Sequence, residues 1–187
     1  MSAGQKPLLA EEKEPLSQLE ATVNRIIDIL QEEETGDDWE QQEQRILSLI
    51  EERLDHEEIA KRALARHWRD INDEQRKEFT SLFLQLLKDT YINRLKNCSC
   101  EADANFYEQR KRGDRAIVYS KVRNEQKGQE TPIDYRLIKK DGEWGIYDII
   151  VEGTSLISNY RKQFDRIMKR SGYSELSKKL REKLEQE

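Results

Sequence analysis

The stretch Trp144-Gly145-Ile146-Tyr147-Asp148-Ile149-Ile150-Val151-Glu152-Gly153-Thr154-Ser155-Leu156-Ile157-Ser158-Asn159-Tyr160-Arg161-Lys162-Gln163-Phe164 changes its periodicity once, and that change decides the fold class. Trp144 to Val151 reads as a strand that is apolar on both faces, interrupted only by Asp148. Gly153-Thr154-Ser155 reads as a turn glycine followed by a helix N-cap. Beyond it, Leu156, Ile157, Tyr160, Phe164, Ile167 and Met168 recur at the spacing of one helical face. Gly172 predicts the end of that helix, and Leu176, Leu180 and Leu184 mark a short final one.

Working back from this junction, Asp141-Gly142 is a hairpin signal. Thr131, Ile133, Tyr135 and Leu137 alternate before it, and Ala116, Val118, Ser120 and Val122 alternate before the turn at Gly128. Asn105 to Arg110 reads as a short strand. Together these predict a twisted antiparallel meander of about four strands. The N-terminal half is helical. Leu16, Leu19, Val23, Ile26, Ile27 and Leu30 form one stripe, with Gly36 as its stop. Ile46, Leu49, Ile50 and Leu54 form a second stripe, which continues through Ile59, Ala63 and Leu64 after a break near Asp55. Asn72 with Gln75 resembles a capping box that opens a helix carrying Phe79, Leu82, Phe83, Leu86, Leu87, Tyr91 and Leu95. Residues 1–15 read as a flexible lead-in and 16–187 as a single domain. The class is α+β, with N-terminal helices, sheet and C-terminal helices.

Composition narrows the function. The 187 residues hold 33 Lys+Arg against 38 Asp+Glu, a net charge of -5. Charged residues reach 38%, where a globular chain averages about 25%. A run of ~18 apolar residues, which a membrane-spanning helix needs, is missing. The acidic balance argues against a general nucleic-acid binder. Met1 to Lys6 carries no apolar core of a secretory signal.

Catalytic patterns are equally sparse. The glycines form neither a phosphate loop nor a G-x-S-x-G elbow. His56 and His67 have no third ligand at metal spacing, so no metal or other cofactor is expected. Cys98 and Cys100 flank one residue, where a disulfide would be strained, and read as incidental. Asp148 has two readings: a general base in the pocket of a small cone-shaped enzyme, or a carboxylate paired with an arginine or backbone groups. The apolar faces likewise either fill one another, as in an adaptor with a solid core, or line an internal hollow.

The junction from Trp144 to Phe164 closely resembles the MlaC family of periplasmic phospholipid carriers, also called toluene-tolerance proteins. Ala63-Leu64-Ala65-Arg66-His67-Trp68, Gln75-Arg76-Lys77-Glu78-Phe79 and Asp134-Tyr135-Arg136-Leu137 look similar to it as well, so the likeness extends from about Leu16 to Leu184. Thr154 stands where the family commonly has an aliphatic residue. The resemblance implies a soluble carrier in the periplasm with a deep apolar cavity for phospholipid tails. It also implies transient partners, an inner-membrane ABC transporter complex and an outer-membrane lipoprotein complex, and no enzymatic activity. On that basis Trp68, Phe83, Leu87, Tyr135, Leu137 and Ile146 are expected to contact the tails, together with Ile149, Val151, Leu156, Tyr160 and Phe164.

Overall fold

A computed structural model describes residues 14–32, 39–96, 102–124 and 128–186. Gly36, Cys98 and Cys100, and residues 1–13 of the expected lead-in, lie outside the described residues.

Helix α1 (Pro15–Gln31) opens with proline at its first position, where the missing N–H would have had no helical partner. Pro15 is already buried. The next free N–H, that of Leu16, donates to Gln109 Oε1 on the sheet at 3.0 Å. Helices α2 (Trp39–Arg53) and α3 (His56–Leu64) are separated where the sequence predicts, at Asp55. The Asp55 carboxylate accepts from the Glu58 N–H at 2.9 Å, and its own N–H donates to the Ile146 carbonyl at 2.9 Å. Leu54 forms a parallel bridge with Ile146. The break between the helices is thus a docking point on the sheet. A 3-10 turn, Ala65–Arg69, follows. The capping box then closes as expected: Asn72 Oδ1 accepts from the Gln75 N–H and Gln75 Oε1 from the Asn72 N–H. It opens helix α4 (Asp73–Lys96).

The sheet is an antiparallel meander in sequence order: β1 (Ala102–Arg112), β2 (Arg115–Asn124), β3 (Gln129–Lys140), β4 (Glu143–Val151) and β5 (Thr154–Ser155). The fifth strand is only two residues long, beyond the four expected, and β1 is longer than the Asn105–Arg110 expected of it. Asp141-Gly142 and Glu152-Gly153 both have positive φ at their two central residues, as tight two-residue hairpins require. Strand β1 is an edge, and a bulge at Tyr107 and several charges protect it from strand addition.

A second bulge governs β4. Leu137 pairs with Ile146 and Arg136 with Asp148, which leaves Tyr147 as an extra residue. Side-chain parity inverts there. Trp144, Ile146, Ile149 and Val151 share the inner sheet face, whereas Tyr147 leaves it for the helices. Helix α5 (Leu156–Leu184) starts at the Ser155 cap, whose hydroxyl accepts from the Ser158 N–H at 3.0 Å. Gly172, with φ 73 and ψ -172, breaks the helical backbone where the stop is expected, and the final helical stretch beyond it buries Leu176 and Leu180.

The described apolar interior falls into three clusters. One joins α3, the 3-10 turn, α4 and α5 to Tyr147. The second joins Leu19 of α1 to Val118, Tyr135, Leu137, Trp144 and Ile146 of the sheet. The third joins Ile29 of α1, Ile46 of α2 and Ile92 of α4. Each pair of clusters shares one element: β4, α1 or α4.

Gly145 sits where Asp55 crosses β4; a Cβ there would lie 3.0 Å from the Asp55 Cβ. Gly145→Val is expected to cost about 1–3 kcal/mol through this overpacking, read as a lowered midpoint in urea denaturation with an unchanged slope.

Candidate ligand-binding site

The eleven residues selected from the sequence divide between two surfaces. Tyr135, Leu137, Ile146, Ile149 and Val151 lie on the inner sheet face. Trp68, Phe83, Tyr160 and Phe164 are buried in the helical cluster, with Leu87 and Leu156 packed against it. The structure brings each group together but does not merge them into one lining. The reason is that the two groups lie on opposite faces of β4, which serves one cluster with Ile146 and the other with Tyr147.

The two surfaces are packed differently. In the helical cluster the rings meet one another. Phe83 lies 5.0 Å from Tyr160, 5.1 Å from Phe164 and 5.6 Å from Phe79, mostly edge to face. Such pairs contribute roughly 0.5–1.5 kcal/mol each beyond burial. The Arg62 guanidinium covers the Tyr147 ring at 3.9 Å.

On the sheet, coverage falls off along the strands. The row Ala116–Leu137–Ile146 is buried beneath α1. In the next row Val118 and Tyr135 are buried and Ile149 is half-buried. The third, Phe106–Ser120–Ile133–Val151, ends in a valine that is 42% exposed. Rows of paired residues share a face, so this is a continuous apolar ramp. Ile133 and Phe106 belong to it and were missed. The alternation of Ile133 with Tyr135 signals the first; the bulge at Tyr107 hides the second. Thr154 is exposed, opposite Val151.

One polar pair interrupts the ramp. Ser120, fully buried, donates to the Ile133 carbonyl at 2.7 Å and hydrogen-bonds the Tyr135 phenol. Burial pushes that phenol up to about 12, with the Ser120 bond opposing the shift.

Asp148 takes the structural arrangement. Its carboxylate accepts from Arg136 Nη1 at 3.0 Å, the Ser155 hydroxyl at 2.6 Å and the Ile157 N–H at 3.1 Å. It therefore fastens the α5 N-terminus to β4, a favourable place for an anion. His67 is buried against α5, with Nε2 at 2.9 Å from Asp165 and Nδ1 at 3.3 Å from Asp70. Lys169, His67 and Arg66 hold the Asp165 carboxyl well below the usual carboxylate range. No group of three or more metal-ligating side chains occurs among the described residues.

The enclosed apolar cavity expected from the sequence is not shown by the described residues. An open cleft of about 450 Å³ lies between α1 and α2, lined by Ser17, Gln18, Ala21, Thr22, Arg25, Leu49, Glu52 and Arg53. It includes none of the eleven selected residues.

The family model described as MlaC protein matches residues 20–182. This chain belongs to the MlaC family. A curated MlaC relative, the intermembrane phospholipid transport system binding protein of Haemophilus influenzae, is 25% identical over 129 residues. That match spans 67% of this chain but only 60% of the relative. The phospholipid-binding protein from Ralstonia solanacearum, solved in complex with a phospholipid, superposes with a TM-score of 0.80 at 25% identity. That superposition covers 93% of this chain and 98% of the other. The α+β class and the family expected from the sequence are therefore shown.

Two outcomes are expected from these contacts. Asp148→Ala strands the Ile157 N–H and the Arg136 charge, and should cost about 2–3 kcal/mol, since Arg136 retains some access to water; thermal denaturation measures this. Tyr135, raised from 10.0 to about 12, ionises in the unfolded chain first. Stability should hold below pH 10, then fall toward pH 12. Tyr135→Phe should flatten part of that fall in urea titrations across this range. Tyr173, whose phenol is also raised by burial, accounts for a remainder.

Proposed function

We propose that this protein is a soluble phospholipid carrier that moves lipid through the periplasm between the outer and inner membranes, holding the acyl chains in its apolar interior. The observation that carries the reading is the division of the described core into three clusters around a partly uncovered apolar ramp. A domain of this size ordinarily has one contiguous core with small satellites. Here the clusters are joined pairwise by α1, α4 and β4, and the ramp from Leu137 to Val151 is left partly uncovered. Acyl chains laid there complete the core. The likeness to a structure solved with a phospholipid supports the same reading.

In this arrangement Tyr135, Leu137, Ile146, Ile149 and Val151 form the floor under the tails. Trp68, Phe83, Leu87, Leu156, Tyr160 and Phe164 stand on the helical side, which must part from its present packing to reach a tail. The headgroup stays in water. The transient partners are an inner-membrane ABC transporter complex and an outer-membrane lipoprotein complex. The saturated Asp148 carboxylate favours this reading over a cone-fold enzyme.

Organic extraction of the purified protein followed by mass spectrometry tests it. Near one phospholipid per chain is the expected result. Protein that is lipid-free and takes up none from vesicles would overturn the carrier reading in favour of an adaptor. Ile149→Trp, which fills the ramp, should lower the bound lipid to about half or less while circular dichroism stays unchanged. An undiminished load would remove Ile149 from the floor.

A further inference from the structure

The opposite, outer face of the β1–β2 ribbon has a composition that neither the fold nor lipid binding explains. Parity places five cations there, Arg110, Arg112, Arg115, Lys121 and Arg123, against two carboxylates, Asp103 and Glu108. This face is therefore +3 on a chain whose net charge is -5. All five cations are exposed. Arg110 is paired with Glu108 and Lys121 with Glu130 of β3. The side chains of Arg112, Arg115 and Arg123 have no ion-pair or hydrogen-bond partner among the described residues. Arg112 and Arg115 stand directly opposite one another, a register in which like charges repel. Folding gains nothing from that pair.

Aromatic surface lies between these charges. Tyr107, the bulged residue, is 52% exposed and packs on Tyr119 with ring centroids 6.4 Å apart. The Arg110 guanidinium lies 5.5 Å from the Tyr119 ring. Tyrosine and arginine are the residues most enriched where protein interfaces carry their binding energy. Rings already packed together lose little freedom on docking.

We propose that the outer face of the β1–β2 ribbon is the docking surface for an acidic protein partner. The sign of the charge sets the partner's sign. Its pattern sets the partner's class: Asp103 and Glu108 are interspersed with the arginines, which suits a partner with discrete carboxylates and penalises a uniformly anionic bilayer. Docking here leaves the ramp, on the other side of the sheet, uncovered. The inference rests on the carrier reading for the choice of partners to test.

The experiment titrates the lipid-loaded protein against each purified membrane complex in nanodiscs, and against anionic vesicles free of protein. Wild-type protein should bind at least one complex, more weakly as ionic strength rises. Arg112→Gln combined with Arg115→Gln should weaken that binding about ten-fold or more, with an undiminished melting temperature and lipid load. Lys162→Gln, the same kind of charge loss on an exposed part of α5, should leave docking unchanged. Equal binding by the double variant would overturn the proposal. So would binding to bare anionic vesicles in preference to either complex. Loaded protein that binds neither complex would also overturn it, while leaving lipid binding itself intact.

Discussion

The extra residue at Tyr147 is the constraint on which the rest of the architecture depends. In an unbulged β4, Ile146, Asp148 and Ile150 would share a face, and Asp148 would point into the apolar side of the sheet. Ile149 and Val151 would turn away from it. A one-residue shift of this kind reverses every side chain beyond it. The bulge prevents that reversal. It keeps Ile149 and Val151 on the inner face and places Asp148 where Arg136, Ser155 and the Ile157 N–H meet it. A buried carboxylate is tolerable only when so satisfied. The same three contacts fix where α5 leaves the sheet. The position of the aromatic cluster along α5 thus follows from one inserted residue, three strands from the other bulge at Tyr107.

Much of this was legible in the sequence because it is local. The capping box at Asn72 and Gln75, the break at Asp55, the cap at Ser155 and the hairpin at Asp141-Gly142 each depend on a few neighbouring residues. Each formed as expected. Gly172 was legible in the same local way, as the break that precedes the final leucine-bearing helical stretch. The meander was legible from alternation, and its bulges were not: alternation gives parity but carries no mark where parity fails. The two-surface division of the eleven selected residues was hidden because it depends on which helices cover each face of the sheet, a long-range matter. Hydrophobicity said that Ile146, Tyr147 and Phe83 would be inside. It could not say that α1 would cover the face of Ile146 and α3, α4 and α5 that of Tyr147.

Asp148 shows how a polar residue in an apolar run should be weighed. Read along the chain it stands isolated, and isolation suggests chemistry. In the folded protein its acceptors are taken up by a guanidinium, a hydroxyl and an amide. Such a group binds structure together, because neither oxygen is left to take a proton from a substrate without breaking an existing contact. The cost of removing it falls on stability and on the setting of α5.

The interrupted core also bears on how a carrier must work. Burying a methylene yields roughly 0.8 kcal/mol, so a sixteen-carbon tail gains on the order of 12 kcal/mol on leaving water. Lipid in a bilayer has that gain already, so a protein interior need only match it. A rigid preformed cavity would be costly when empty, because its lining would forgo contacts that a collapsed interior keeps. Clusters whose side chains pack on one another, as the rings of Phe83, Tyr160 and Phe164 do, reduce that cost. They also reduce the affinity, since some of those contacts must be given up on loading. For a shuttle this is an advantage: binding too tight would hold the cargo, and the chain has no nucleotide-binding loop with which to drive release. On the proposed carrier reading, the partly covered ramp ending at Val151 would complement that design, because a first tail laid on it would displace no packed side chain.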